Sequence, residues 1–164
     1  MKRALVLLSI ALLVLAAAIF ASNRSHVAAS PALSPSAGYT IHIDAIKHFG
    51  DAHPDEVAHH YCKQLADMFE CQIYDSDSPN AHLVEVETIL SESAYNALPA
   101  SEQALWHYHR TEIPKVNAKI IGMSAAAQQK LVAKLLPTYG KVWMLWDPAT
   151  NSAPVGQPTV VVLK

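Results

Sequence analysis

Apolar and polar positions alternate from His82 to Leu90, with Val84, Val86, Thr88 and Leu90 set against Glu85 and Glu87. That is the period of a strand with one buried face. Two shorter segments precede it, Ala58 to Lys63 and Glu70 to Asp75, and Asp75-Ser76-Asp77-Ser78-Pro79-Asn80 is a turn signal before the third. Together they predict a three-stranded antiparallel meander. The first segment also reads as a helix beginning at Pro54, with Val57, Tyr61, Leu65 and Met68 as its stripe. Beyond Leu90 the pattern turns to short helices. Ser91 or Ser93 can cap one through Ala97, and Ser101 can cap another running to about Trp106, with Pro99 between them. The clearest helix runs from Ala125 to Leu136, capped by Ser124, with Ala127, Leu131 and Leu135 on one face and Lys130 and Lys134 on the other. Pro137 and Gly140 end it. Lys141 to Trp146 reads as a strand, Asp147 to Pro158 as a loop and Thr159 to Leu163 as a terminal β-rich segment. Strands and helices are segregated, so the expected class is α+β: a small antiparallel meander packed with several short helices in a single domain.

The N-terminal pattern is different. Ala4 to Ala21 is broken only by Ser9, with Lys2 and Arg3 before it and Ser22-Asn23-Arg24-Ser25 after it, as in an export leader. Its 18 positions exceed the about 7 to 15 of a signal peptide and just reach a membrane span. Residues 1–29 therefore read as a cleaved signal peptide, cut before Ser30 or Ser22, or as an uncleaved membrane anchor. The basic flank keeps the N-terminal end in the cytoplasm, which places the domain outside it in both readings: periplasmic, secreted or membrane-anchored. Residues 30–38 are Ser-, Pro- and Ala-rich without periodicity, a flexible spacer, and the fold proper is expected from Tyr39 to Lys164.

Composition adds exclusions. Two cysteines cannot build a multi-bridge scaffold, and neither heptads nor a repeat of roughly 20 to 50 residues is present. Without residues 1–29, 9 of the 12 basic side chains remain against 14 acidic ones, which argues against a nucleic-acid partner. That remainder keeps a single arginine, Arg110, but eight histidines, all between His42 and His109.

Two constellations can carry chemistry. In the first, a pairing that sets Cys62 opposite Cys71 also sets His60 opposite Ile73, on the face of both cysteines. The sulfurs then form a disulfide, suited to an oxidising compartment, or join His60 as ligands for zinc or copper. The second is Trp106-His107-Tyr108-His109-Arg110-Thr111-Glu112. In extended backbone His107 and His109 point the same way, and with Glu112 they make a three-ligand site with a position open to water. The spacing is one residue short of the His-x-His and Glu pattern of cupins. On a helix end the same side chains would merely pack, with His109 near terminal carbonyls. Glu87 is a candidate partner behind an imidazole, or part of an exposed strand face. Arg110 reads as a surface arginine, and Trp143 and Trp146 as core and edge aromatics. Serine-hydrolase elbows, phosphate loops and dinucleotide fingerprints are missing from the sequence.

Ala58-His59-His60-Tyr61-Cys62, Glu70 to Asp77, Val86-Glu87-Thr88-Ile89-Leu90-Ser91, Leu105-Trp106-His107-Tyr108-His109 with Glu112, and Tyr139-Gly140-Lys141-Val142-Trp143 resemble the oil-body-associated-protein-like family. The resemblance runs from about Tyr39 to Pro158 and takes in Ile46-Lys47-His48-Phe49 and Pro154 to Pro158. With the leader, it implies an exported bacterial member of a domain family of unknown function; plant members associate with seed oil bodies, and no reaction comes with the family. It implies both cysteine positions in cytosolic relatives, which favours a role beyond a disulfide, and the histidines matched by His107 and His109. The chain departs from the implied pattern at Met144, where a histidine is expected, at Glu85, where a glycine is expected, and at Pro114-Lys115, where a glycine turn is expected. The leading expectation is a domain that holds zinc or another transition metal through His60, His107, His109 and Glu112, with Glu87 behind them. The competing ones are a non-enzymatic module at an envelope or lipid surface, and a metal-dependent hydrolase or oxygenase acting on a small molecule.

Overall fold

A computed structural model describes residues 34–47 and 56–162. The leader, the first part of the spacer, Pro54, His48-Phe49 and Leu163 lie outside the described residues. From Ser34 on, the chain forms one compact unit. Its strands are β1 (Ile41–Ile46), β2 (Val57–Gln64), β3 (Met68–Tyr74), β4 (Leu83–Ser91), β5 (His107–Tyr108), β6 (Lys119–Ile121), β7 (Thr138–Met144) and β8 (Thr159–Val161). The helices are α1 (Glu92–Asn96), α2 (Ala100–Gln103), α3 (His109–Glu112) and α4 (Ala125–Leu135). All strands join one curled antiparallel sheet in the order β5-β7-β4-β3-β2-β1-β6, with β8 also paired to β7. The α+β class expected above is the class observed. Among the described residues no helix is long and apolar enough to cross a membrane.

The expected meander is β2-β3-β4, in the expected register: Cys62 faces Cys71 and His60 faces Ile73. It is the middle of a larger sheet. The alternative helix from Pro54 gives way to β2 because Ala58, His60 and Cys62 are buried on alternate positions, a period that only a strand satisfies. Residues 34–38 of the expected spacer end in a short 3₁₀ turn, Pro35–Gly38, capped by the Ser34 hydroxyl. Pro99, rather than Ser101, occupies the N-cap position of α2.

One face of the prediction turns over, that of β4, while in α4 only Ala127 departs. In β4 the buried positions are Val84, Glu85, Glu87 and Ile89, whereas Val86, Thr88 and Leu90 are only half-buried. The carboxylates, expected outside, face in, because they share the side of β4 that carries Ile89 and lies beside Cys71 and Phe69 of the core. In α4 the Ser124 hydroxyl caps as expected, accepting from the Ala127 amide. Ala127 itself is exposed, and Leu131, Val132 and Leu135 point to the sheet. The Gln128 amide donates to the carbonyls of Ile120 and Met123 and ties the first turns of α4 to the chain before it. Leu135 and Leu131 close over Ala58, Cys62, Phe69, Cys71, Ile73 and Ile89 as the core. Fully burying one such aliphatic or aromatic side chain is worth about 1.5–3 kcal/mol. Gly140, expected to end the helix, instead lies inside β7.

Candidate metal centre

Cross-strand register sets the site on the inner face of the sheet. One row of Cα partners runs Phe69, Ile89, Gly140, His107 across β3, β4, β7 and β5. Glu87 lies two residues before Ile89 on the same face of β4. Glu87 and His107 therefore lean toward each other across β7, at the strand position that carries no side chain. A Cβ on Gly140 would collide with Glu87 Oε1 and lie 2.5 Å from His107 Nε2. Glycine inside a strand marks a close approach of this kind.

His109 reaches the same point by a different route from the one expected. Strand alternation does not extend to it: the chain leaves β5 at Tyr108 and turns into α3, whose first residue is His109. The two imidazoles end with ring centroids 5.0 Å apart. Glu112, three residues on in the same helical turn, lies on the face of His109. His107 Nε2 is 3.3 Å from Glu87 Oε1 and 3.5 Å from Glu112 Oε2. His109 Nε2 is 3.3 Å from Glu87 Oε1 and 3.9 Å from Glu112 Oε2. All four residues are buried. Ligand atoms about 2.0–2.1 Å from a tetrahedral ion stand roughly 3.3–3.4 Å apart, which three of the four nitrogen–oxygen distances approach and the fourth, at 3.9 Å, exceeds.

The protonation of His109 follows from its neighbours. The Thr138 hydroxyl donates its one proton to the Leu135 carbonyl at 2.6 Å, so it accepts from His109 Nδ1 at 2.8 Å. In the neutral ring Nε2 then carries a lone pair, and that lone pair faces the Glu87 carboxylate. Burial alone would push the Glu87 carboxyl up, but hydrogen bonds from the His107 and His109 rings, and their charge, hold it well below the ordinary carboxylate range. A shared cation, a proton on the imidazole or a metal ion, reconciles the two groups.

Sequence reasoning placed His60 among the ligands and Glu87 behind them; the structure brings Glu87 to His107 and His109 and leaves His60 outside that group. Among the described residues, the donors here that lie within 4.8 Å of one another come from Glu87, His107 and His109. His60 lines the adjoining cavity, with Nδ1 3.1 Å from the Ala58 carbonyl. Cys62 and Cys71, left open between a bridge and ligation, form a disulfide, so neither sulfur is a thiolate ligand. Arg110 is exposed and donates to the Tyr108 hydroxyl. Trp143 and Trp146 are both half-buried. Thr138 and Gly140 went unrecognised; only the mid-strand glycine left a signal. Glu85, one of the departures named above, is fully buried, and its Cα partner on β7 is another, Met144. A cavity of about 90 Å³ opens beside the cluster, walled by Phe69, Ile89, Ile113, Leu131 and Leu135.

Residues 33–163 match the family described as protein of unknown function (DUF1264). The chain belongs to the DUF1264 family. Its curated relatives include oil body-associated protein 2B of Zea mays, 37% identical over 114 residues that make up 68% of this chain and 46% of that protein. Oil body-associated protein 1B of Arabidopsis thaliana is 35% identical over 124 residues, 74% of this chain and 52% of that protein. The chain thus spans about half the length of the curated relatives it matches. No solved structure matches it. It is an oil body-associated-protein-like domain of unknown function, and its histidine groups are of a kind that can hold a metal.

Proposed function

We propose that this DUF1264 domain binds one divalent transition-metal ion, zinc or iron, through His107, His109, Glu87 and Glu112. The observation that carries the reading is the relay from Leu135 through Thr138 to His109 Nδ1, which turns the Nε2 lone pair toward a buried carboxylate. Hydrogen bonding of the second ring nitrogen is the usual way a ligating histidine is oriented. Two imidazoles and two carboxylates give a neutral site for a divalent ion and suit zinc or iron(II). An apolar cavity adjoins the cluster, and a metal-dependent hydrolase or oxygenase reaction would need a coordination position beyond these four ligands.

Elemental analysis of gently purified protein tests the proposal. About one equivalent of metal is expected, lost in His109→Ala and Glu87→Gln. A protein that is metal-free as purified, and that takes up no zinc or iron after stripping, overturns it and leaves a proton-sharing imidazole–carboxylate cluster.

A second reading concerns place. The leader and the Cys62–Cys71 bridge favour an oxidising, extracytoplasmic setting. The names of the relatives favour attachment to a lipid surface. Flotation of the full chain with phospholipid vesicles checks that attachment, and a protein that stays with the soluble fraction rejects it.

A further inference from the structure

The opposite face of the sheet carries a second set of donors. His42 and Asp44 project from one face of β1, and the β1–β2 register places Asp44 opposite His59 and His42 opposite Tyr61. Asp77, in the turn after β3, closes over them. His42 Nε2 is 3.0 Å from Asp44 Oδ1 and 3.1 Å from Asp77 Oδ1. His59 Nδ1 is 2.9 Å from Asp44 Oδ1 and 3.1 Å from Asp77 Oδ1. Each imidazole nitrogen therefore touches both carboxylate oxygens, and the four atoms all lie within 4.8 Å of one another.

We propose that His42, Asp44, His59 and Asp77 form a surface site for a tetragonal divalent ion, copper(II) above all. The four nitrogen–oxygen distances admit a square, whose diagonals fall inside the 4.8 Å that bounds the group. Donors at the corners of a square with edges near 3 Å stand about 2.1 Å from its centre, a normal metal–nitrogen or metal–oxygen bond. A tetrahedron with the same edges would bring them to roughly 1.8 Å, too short for zinc. Square-planar nitrogen and oxygen donors are the preference of copper(II) and nickel(II), and copper(II) binds more tightly at such sites.

The orientations agree. His42 Nε2 is shielded from solvent and makes no hydrogen bond, although two carboxylate oxygens lie about it. His42 Nε2 thus lies near both oxygens without bonding either, whereas His59 Nδ1 does bond Asp44 Oδ1 at 2.9 Å. The Tyr61 hydroxyl donates to Asp77 Oδ1 at 2.8 Å, and the Tyr61 ring stacks on His42 at 4.5 Å, so one side chain steadies two of the donors. The Asp77 carboxylate raises the Tyr61 phenol to about 12, chiefly through that hydrogen bond, which keeps the phenol a donor. Two aspartates neutralise a divalent ion, and the Asp77 side chain, 46% exposed, leaves an entry from solvent.

This site shares no residue with the inner one, so the two can be tested separately. Because the inner site also offers two imidazoles, the full-length His107→Ala/His109→Ala protein is stripped with a chelator and titrated with copper(II), with electron paramagnetic resonance and calorimetry as readouts. The expected result is one equivalent bound with an axial spectrum showing coupling to two nitrogens. Asp77→Ala, in a turn outside the core, and His59→Ala should each weaken binding at least about tenfold, and Tyr61→Phe by about tenfold. In that background, where the inner imidazoles are gone, a two-nitrogen signal that survives Asp77→Ala or His59→Ala overturns the proposal. So does failure of the folded wild-type chain to bind copper(II).

Discussion

Gly140 of β7 is the Cα partner of His107 of β5, and a methyl group built on Gly140 would stand 2.5 Å from the His107 Nε2 atom. A backbone position thus sets how closely an imidazole and the Glu87 carboxylate can approach. Its φ is not in the left-handed region, so the requirement for glycine is spatial rather than conformational.

Gly140→Ala therefore forces His107 and Glu87 apart. Overpacking in a filled interior costs about 1–3 kcal/mol, and the loss should appear in urea denaturation of the metal-free protein. Metal uptake at the inner site should fall with it. An alanine variant that keeps both stability and metal content would show that β7 yields more readily than its packing implies.

Thr138→Val tests the relay to His109. Valine is similar in shape but cannot accept from Nδ1, so the ring loses the partner that fixes its tautomer. Loss of an orienting partner of this kind lowers metal affinity about 10- to 100-fold. Competition with a chromogenic chelator measures that change, while circular dichroism should report an unchanged fold.

The disulfide joins neighbours on adjacent central strands, nine residues apart in the chain. Closing so small a loop limits the unfolded chain and stabilises by about 2–3 kcal/mol on the loop-entropy account. Cys62→Ala with Cys71→Ala should lower the denaturation midpoint accordingly, as should a reductant acting on the wild type. Native and variant proteins with the same midpoint under non-reducing conditions would contradict this.

These expectations bear on what could be read before the fold was known. The Cys62–Cys71 register was legible because two short segments with polar ends can pair antiparallel in few ways, and Ser124 was legible because capping is local. The burial of Glu85 and Glu87 was not. Alternation gives the period of β4 but not which face is covered, and apolar residues stand on one of its faces, so the carboxylates were read as outward. Ile41-His42-Ile43-Asp44 does alternate, and β1 could have been found from it. By contrast β5 and β6 have two and three residues, too few for any period to show. His60 falls outside the inner group and Glu87 inside it for one reason: proximity there is decided by which strands flank β7, a long-range fact.

One ion pair beside the site makes a pH-dependent prediction independent of metal. Lys141 is buried on β7, its ammonium 5.0 Å above the centre of the Trp143 ring, and it is held by Glu102 of α2, which also accepts from Trp106 Nε1. The Lys141 hydrogen bond, followed by that of Trp106, lowers the Glu102 carboxyl below its ordinary value, against a smaller opposing effect of burial. A carboxyl lowered on folding contributes stability that is complete above its unfolded pKa, near 4.5, and lost as the pH falls through the folded value. The melting temperature of Glu102→Gln should therefore lie below that of the wild type at pH 7, and the gap should close as the solution is acidified below about pH 4.5. Glu102 is partly exposed, so molar salt should narrow the gap at pH 7 as well. A gap that is the same at pH 7 and pH 3 would mean that the glutamate acts through packing against Trp106 and not through its charge, and it would remove the electrostatic link between α2 and the strand that carries Gly140.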